Sequence, residues 1–484
     1  MKRRDFLKTA GLGATSLVAP GSATLSASQS GKTRTDRPNI ILLMADDCSA
    51  KEFGCYGNRQ HETPVLDELA RTGVKFDTCW CTPICSPSRA LIMTGRYGFR
   101  TGWFHNSMKP GPKKKGGNLS TTNKIFAQLL KQAGYATAIC GKWQLYGTMR
   151  QYGFDEHCMW QKYEGFDGPV ETNELKGRRG VYLGRAARYW HPAIVKNDKP
   201  VPTTDKDYGP DFFVDFVLDF AKRHKDGPFL VYYPMCLPHR SWDFEAGRSG
   251  YLPVPELDRQ GVKTGRKVPG TLKSNVEYVD HLVGRIVKGL GRLGLRKNTV
   301  IAFTCDNGTA GYGKAQVIEE RGPRVPMVVN GPSVVRPRGA VDALIDFADV
   351  LPTLCDLAGA APPADYAIDG QSFVPVLRGQ KDDAREWIFS CYADKRMLRD
   401  TRWLLDGRGR FYDCGNRRDE VGYKDVTRSD DPEVVAARKR FEDVLRRLPG
   451  PTKEQMGNWS KRQRPRRKGR SPKRRQRGAS GEGR

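Results

Sequence analysis

No stretch of this chain approaches the roughly 18 consecutive apolar residues that a membrane-spanning helix needs, which excludes an integral membrane helix. Histidine is scarce, with seven in 484 residues. His61, His105, His157, His191, His224 and His281 stand in no recognisable ligand spacing, and surface or packing roles are the expectation for them, with His105 and His191 the two that could lie near a cleft. The twelve cysteines are too few for a disulfide scaffold, and none forms a C-x-x-C pair. Cys79, Cys81 and Cys85 cluster, but no nearby histidine or second cysteine pair completes a tetrahedral zinc set. Negative charge is also in short supply. Asp and Glu number 54 against 82 Lys and Arg, a net charge of +28, and residues 461–484 hold twelve Lys/Arg against one Glu. Such an excess favours an anionic partner.

What is present supports a folded protein. A hydrophobic content of 38% with 10% aromatics is enough for a real core and excludes wholesale disorder. The length allows two to four domains, or one large α/β domain with an appendage. Arg3-Arg4-Asp5-Phe6-Leu7-Lys8, a weakly apolar run from Ala10 to Ala19 and small residues from Ala23 to Ala27 read as a twin-arginine (Tat) export signal over residues 1–30. No cysteine precedes Cys48, so a lipobox is absent. The Tat translocon is then a partner, and the destination is periplasmic or extracellular. Nucleic acid is not expected as a partner there, although basic clusters bind phosphates without sequence preference. Residues 459–484 read as a disordered basic tail.

Between these ends the pattern is strand–helix alternation. Ile40–Met44 is a short, continuous apolar run ending in Ala45-Asp46-Asp47, as expected of a buried parallel strand with acidic residues at its C-terminal end. Thr63-Pro64 opens a helix through Leu66, Leu69 and Ala70 that stops at Gly73. Further strands are expected at 135–139, 228–235, 299–304 and 326–329, and helices at 122–133, 210–224, 271–290 and 349–358. The alternation argues for a doubly wound sheet, in which ligands bind beyond the carboxyl ends of the strands. After residue 385, short strand-like runs at Trp387–Tyr392, Met397–Leu405 and Phe411-Tyr412 precede a helix from Pro432 to Leu448. A small antiparallel sheet with one packing helix follows from that pattern.

Two strand ends supply three carboxylates and one amide oxygen: Asp46, Asp47, Asp306 and Asn307. Oxygen ligands of this charge suit a hard divalent cation such as Ca²⁺ or Mg²⁺. Either acidic pair alone is also what a solvated turn produces.

The segment Cys85-Ser86-Pro87-Ser88-Arg89, running through Ala90–Met93 into Thr94-Gly95-Arg96-Tyr97, resembles the signature of the type I sulfatases, of the alkaline-phosphatase-like superfamily. Asp46-Asp47, Cys55-Tyr56-Gly57-Asn58, Thr63-Pro64 with Leu66-Asp67, Gly141-Lys142-Trp143, Pro238-His239, Asp306-Asn307-Gly308 and Arg324-Val325-Pro326 follow in family order, so the resemblance covers about residues 37–415. It implies an α/β fold with a large central mixed, mostly parallel sheet, helices on both faces, and a small C-terminal antiparallel sheet with one helix. The divisions it suggests are a catalytic domain over 37–385 and a C-terminal subdomain over 386–458.

The resemblance also implies a chemistry. Cys85 would be oxidised by a formylglycine-generating maturation enzyme to an aldehyde that hydrates to a geminal diol. One hydroxyl attacks sulfur and the other then expels sulfate, splitting one hard step into two easier ones. Asp46, Asp47, Asp306 and Asn307 match the family's Ca²⁺ ligands, with the modified Cys85 beside them. Arg89 matches the arginine that pins the diol, Lys142 and Lys314 the lysines that grip sulfate oxygens, and His239 the histidine that protonates the leaving alcohol. One position departs from the common pattern: Gln144 stands where many members have the histidine of Gly-Lys-Trp-His. Glutamine hydrogen-bonds but accepts no proton at neutral pH, which puts the elimination step in doubt. Gly-Lys-Trp-Gln resembles a subgroup of polysaccharide-degrading bacterial sulfatases. The expected activity is hydrolysis of sulfate esters on a sulfated carbohydrate. A catalytically silent glycan-binding homologue and a phosphoester or phosphonate hydrolase of the same superfamily stand as alternatives. Lys113-Lys114-Lys115, Arg178, Arg179 and Arg185 are candidates to bind further sulfates of a polymer, or are solvated charge runs.

Overall fold

The computed structural model describes residues 37–106, 119–169, 187–243 and 248–456. The expected export signal (1–30), Lys113–Lys115, Arg178, Arg179, Arg185 and the basic segment 459–484 lie outside the described residues.

The core of the protein is an eleven-stranded sheet. Its centre is a run of five parallel strands, Thr299–Cys305, Asn39–Ala45, Phe229–Pro234, Ala136–Gly141 and Glu156–Trp160, in that spatial order. Both flanks turn antiparallel: Met327–Asn330, Val74–Trp80 and Arg324–Val325 on one side, Ile194–Lys196 and Lys199–Val201 on the other. Gly339–Asp346 adds in parallel to Val74–Trp80. Every residue of Asn39–Ala45 is buried, because helices cover both faces, and this produces an unbroken apolar run rather than alternation. Helix Leu272–Arg292 contacts both Pro64–Arg71 and Gly209–Arg223, and Cys85–Thr94, Phe126–Gln132 and Val350–Ala358 contact one another in a second group.

Local signals set the helix ends. Pro64 occupies the first turn of Pro64–Arg71, and the Asp280 carboxylate accepts the orphan N–H groups of Val65 (3.1 Å) and Leu66 (2.8 Å). Helix Cys85–Thr94 is buried at all ten positions and ends at Gly95, whose φ of 65° is the left-handed conformation that glycine adopts without penalty.

The C-terminal run forms a five-stranded antiparallel sheet, Ile388–Tyr392, Lys395–Arg399, Trp403–Leu405, Phe411–Asp413 and Lys424–Asp425, followed by helix Pro432–Arg447. The expected single run Met397–Leu405 is two strands, divided where Asp400 accepts the backbone N–H groups of Arg402 and Trp403. An α/β fold with a large mixed sheet, helices on both faces and a small C-terminal antiparallel sheet is what the sequence implied.

Candidate active site

Two adjacent parallel strands deliver the acidic residues. Ala45 pairs with Cys305 at the carboxyl ends of their strands, so Asp46-Asp47 and Asp306-Asn307 emerge side by side. The Asp306 N–H donates to the Ala45 carbonyl (2.9 Å), and the Asp47 N–H donates to Asp306 Oδ1 (3.0 Å). Asp47 has a φ of 64°, an uncommon backbone conformation for a non-glycine residue that turns the chain back over its own strand end.

Helix Cys85–Thr94 brings its first residue to this cluster. Cys85 Sγ lies 3.6 Å from Asp47 Oδ1 and 3.9 Å from Asp46 Oδ1. One turn along, buried Arg89 places Nη2 2.7 Å from Asp306 Oδ2 and 3.8 Å from Asp46 Oδ1. Lys142 follows Gly141 at the end of the Ala136–Gly141 strand, is buried, and pairs with Asp46 Oδ2. Lys314 arrives on the loop after Asn307, with Nζ 2.6 Å from Asp47 Oδ2 and 3.2 Å from His239 Nε2. His239 Nε2 is also 3.4 Å from Asp47 Oδ2. The structure thus brings Asp46, Asp47, Cys85, Arg89, Lys142, His239, Asp306, Asn307 and Lys314 into one site. Gln144 lies next to it: its carbonyl accepts the Ser86 hydroxyl (3.2 Å), and its buried Oε1 has no partner.

The electrostatics are those of a concentrated charge cluster. Burial pushes the Asp46 carboxyl up, but Lys142, with Arg89 and Lys314, outweighs it and holds the group well below the usual carboxylate range. Asp306 goes the other way, to about 6, raised by burial and by Asp46 against the pull of Arg89 and Lys142. Burial, then Asp306 and Asp47, keep the Cys85 thiol far above its ordinary value, so the unmodified side chain is a protonated thiol and not an activated nucleophile. Burial, with Lys142, Arg188 and Lys314 close by, pulls His239 well below the ordinary histidine value despite Asp46, so its imidazole is neutral. His239 Nδ1 is 2.5 Å from the Arg240 carbonyl and donates to it, which leaves the Nε2 lone pair facing Lys314.

The same residues fit a hard cation. One donor atom from each of Asp46, Asp47, Cys85 and Asp306 falls within 4.8 Å of the others. Asn307 Nδ2 donates to Asp47 Oδ1 (2.9 Å) and to the Gly308 carbonyl (3.0 Å), while its buried Oδ1 has no hydrogen-bond partner. An orphaned buried carbonyl oxygen beside three carboxylates is the donor chemistry of Ca²⁺.

Some neighbours had no sequence signal. Arg188 is buried with Nη1 3.2 Å from His239 Nδ1, yet no motif marks it. Asn106 accepts the Ser86 N–H (2.9 Å) behind Cys85. Of the remaining histidines, His191 faces Asp167 (3.3 Å), His61 Nδ1 meets the Glu52 carbonyl (2.9 Å) and His157 Nε2 accepts the Asp198 N–H (3.1 Å).

Comparison with known proteins agrees with this arrangement. A family model described as Sulfatase matches residues 38–360. N-acetylgalactosamine-6-sulfatase of Sus scrofa is 32% identical over 386 residues, spanning 73% of this chain and 68% of the relative. Steryl-sulfatase of Mus musculus is 28% identical over 455 residues, spanning 76% and 69%. Among solved structures, Ps i-CgsB matches with a TM-score of 0.66 at 24% identity, covering 84% of this chain and 92% of its own. BT4656, solved in complex with its substrate D-glucosamine-2-N,6-O-disulfate, matches with a TM-score of 0.59 at 20% identity, covering 85% and 97%. Strand ends, signature helix and relatives agree, and the chain belongs to the sulfatase family, with the alkaline-phosphatase-like fold and the activity of a sulfuric ester hydrolase.

Proposed function

We propose that this enzyme removes sulfate from a sulfated carbohydrate, using a formylglycine made from Cys85 beside a Ca²⁺ ion, and that it works outside the cytoplasm. The observation that carries the reading is the placement of Cys85 Sγ between the Asp46 and Asp47 carboxylates at the head of a buried helix. Asp46, Asp47, Asp306 and the Asn307 Oδ1 would hold the ion, with residue 85 completing the set. The ion supplies fixed positive charge beside the reacting oxygens, and the hydrated aldehyde supplies the attacking hydroxyl.

The remaining work falls to this chain's own side chains. Arg89 is locked by Asp306 and orients the group at position 85 from one turn along its helix. Lys142 and Lys314 place two ammonium groups over the cluster, where the sulfate oxygens gather negative charge in the transition state. Lys314 Nζ and His239 Nε2, 3.2 Å apart, share a proton at the point where the leaving alkoxide forms. Gln144 orients by hydrogen bonding, so the proton released in sulfate expulsion goes to water or to another base.

The carbohydrate assignment rests on the excess of positive charge and on relatives of matching fold, among them Ps i-CgsB in complex with k-i-k-neocarrahexaose. Export rests on the twin-arginine pattern of residues 1–30, and the division into a catalytic domain (37–385) and a C-terminal subdomain (386–458) follows the change of pattern near 385. The test is sulfate release from a panel of sulfated oligosaccharides and aryl sulfates by protein matured in its own host. Turnover by the wild type and none by C85A is the expected result. Equal release by both proteins contradicts the reading.

A further inference from the structure

Arg188 is an electrostatic anomaly. Its side chain is buried, at 3% exposure, and its guanidinium lies 4.2 Å over the Trp160 ring. A guanidinium keeps its charge in a protein interior, and buried charges are ordinarily paired with a carboxylate. Arg188 has no carboxylate within ion-pair distance among the described residues, unlike buried Arg89, Arg385 and Arg399, which have Asp306, Asp349 and Glu320. Its Nε is buried with no hydrogen-bond partner. Its Nη1 meets His239 Nδ1 at 3.2 Å, but that nitrogen gives its proton to the Arg240 carbonyl and offers no lone pair. Among the described residues, then, a fixed positive charge stands behind the site with no counter-charge beside it.

The neighbouring side chains extend the same sign outward. Arg240, over the Tyr251 ring at 4.9 Å, and Lys267, over the Trp190 ring at 4.0 Å, also lack carboxylate partners among the described residues. Among the described residues of the site, Arg89, Lys142 and Lys314 pair with Asp306, Asp46 and Asp47, and Arg188 adds a fourth cation against His239. A sulfate monoester brings one negative charge, which a bound divalent cation would more than offset. Room remains for a second anion.

We propose that Arg188 is the core of a second anion subsite, on the Nδ1 side of His239, that binds an additional negatively charged substituent of the substrate. This rests on the sulfatase reading above and narrows its substrate class to sugars carrying a second anionic group, a sulfate or a uronate carboxylate, on the reacting residue or its neighbour.

The experiment compares wild type, R188M, which keeps the volume without the charge, and R188K, which keeps the charge. Each is assayed on 4-methylumbelliferyl sulfate, a singly sulfated neutral disaccharide, its doubly sulfated form, and a singly sulfated disaccharide bearing a uronate. The expected result for R188M is a loss in kcat/KM on a doubly anionic substrate that exceeds its loss on the two singly charged ones by about 10-fold or more, with partial recovery in R188K. Selective loss on the disulfate or on the uronate identifies the anion. Equal losses on all four substrates overturn the proposal and make Arg188 a positioning residue for His239. Calorimetric binding of the doubly sulfated disaccharide to C85S and to C85S/R188M separates this idea from the hydrolytic one. Binding lost only in the double variant supports the subsite even if the wild type releases no sulfate, whereas equal binding overturns it.

Discussion

Lys142 shows what a single side chain contributes when it is taken out of water. Its ammonium is buried against the Asp46 carboxylate, at the end of a strand that cannot move without disturbing the sheet. A positive charge held rigidly where negative charge develops needs no reorganisation at the moment of reaction. K142A is expected to lower kcat/KM by about 10²–10³-fold on any sulfate ester, while leaving the far-ultraviolet circular dichroism of the protein unchanged. A loss below about 5-fold would show that Lys142 neutralises Asp46 and does little for the substrate. At this scale much of the site was legible. Asp46-Asp47, Cys85 with Arg89, Lys142, His239 and Asp306-Asn307 each stand in a short local motif, most of them at or just beyond a strand or helix end. Arg188 was not legible, because what sets it apart is the lack of a carboxylate partner among the described residues, which a sequence does not display.

Among the elements, the strand Ala136–Gly141 and its neighbour Phe229–Pro234 show how closely backbone geometry controls the site. Gly141 has a φ of 109°, and a Cβ there would fall 2.2 Å from the Pro234 carbonyl oxygen. The Lys142 N–H donates to that same oxygen at 2.8 Å. G141A should therefore cost stability, on the order of 2–4 kcal/mol by chemical denaturation, and displace Lys142 enough to cut turnover. Wild-type stability and turnover in G141A would show that the chain adjusts freely there. Helix Pro64–Arg71 offers a pH test. Burial pushes its capping carboxyl, Asp280, up to about 7 against the lowering effect of the Leu66 and Val65 N–H groups. Because the folded value exceeds the unfolded one, the group contributes stability that is complete below about pH 4 and is lost as pH rises through about 7. Relative to D280N, which does not titrate, the wild type should lose stability across that window, on the order of 4 kcal/mol in full. A difference that stays flat with pH would mean that Asp280 titrates alike in the folded and unfolded states. The central strands announced themselves as apolar runs, whereas Val74–Trp80 and Lys199–Val201 did not, since half-buried flank strands carry Lys75, Asp77 and Lys199 in their sequences.

At the scale of the whole molecule, a buried ion pair helps to join the two sheets. Glu320, on the loop that carries Lys314, pairs with Arg399 of the C-terminal sheet and accepts the Trp80 indole N–H at 2.6 Å. Arg399 also reaches the Arg417 carbonyl at 3.1 Å, and the Glu320 N–H donates to the Glu420 carbonyl at 3.1 Å. Removing one partner leaves the other charge buried and alone. R399M should lose about 3–5 kcal/mol and raise KM as the Lys314 loop loosens, and R399M/E320Q should regain part of both. Identical losses in the single and double variants would place the cost in packing and not in charge. No local pattern in the sequence announced this joint, because its members lie 79 residues apart.

The most direct test of the central claim is the mass of the tryptic peptide from Phe76 to Arg89, taken from protein made in its own host. The expected species is lighter than the cysteine form and reacts with carbonyl reagents at position 85. An unmodified thiol in protein that still releases sulfate would contradict the formylglycine chemistry on which the account of this site depends.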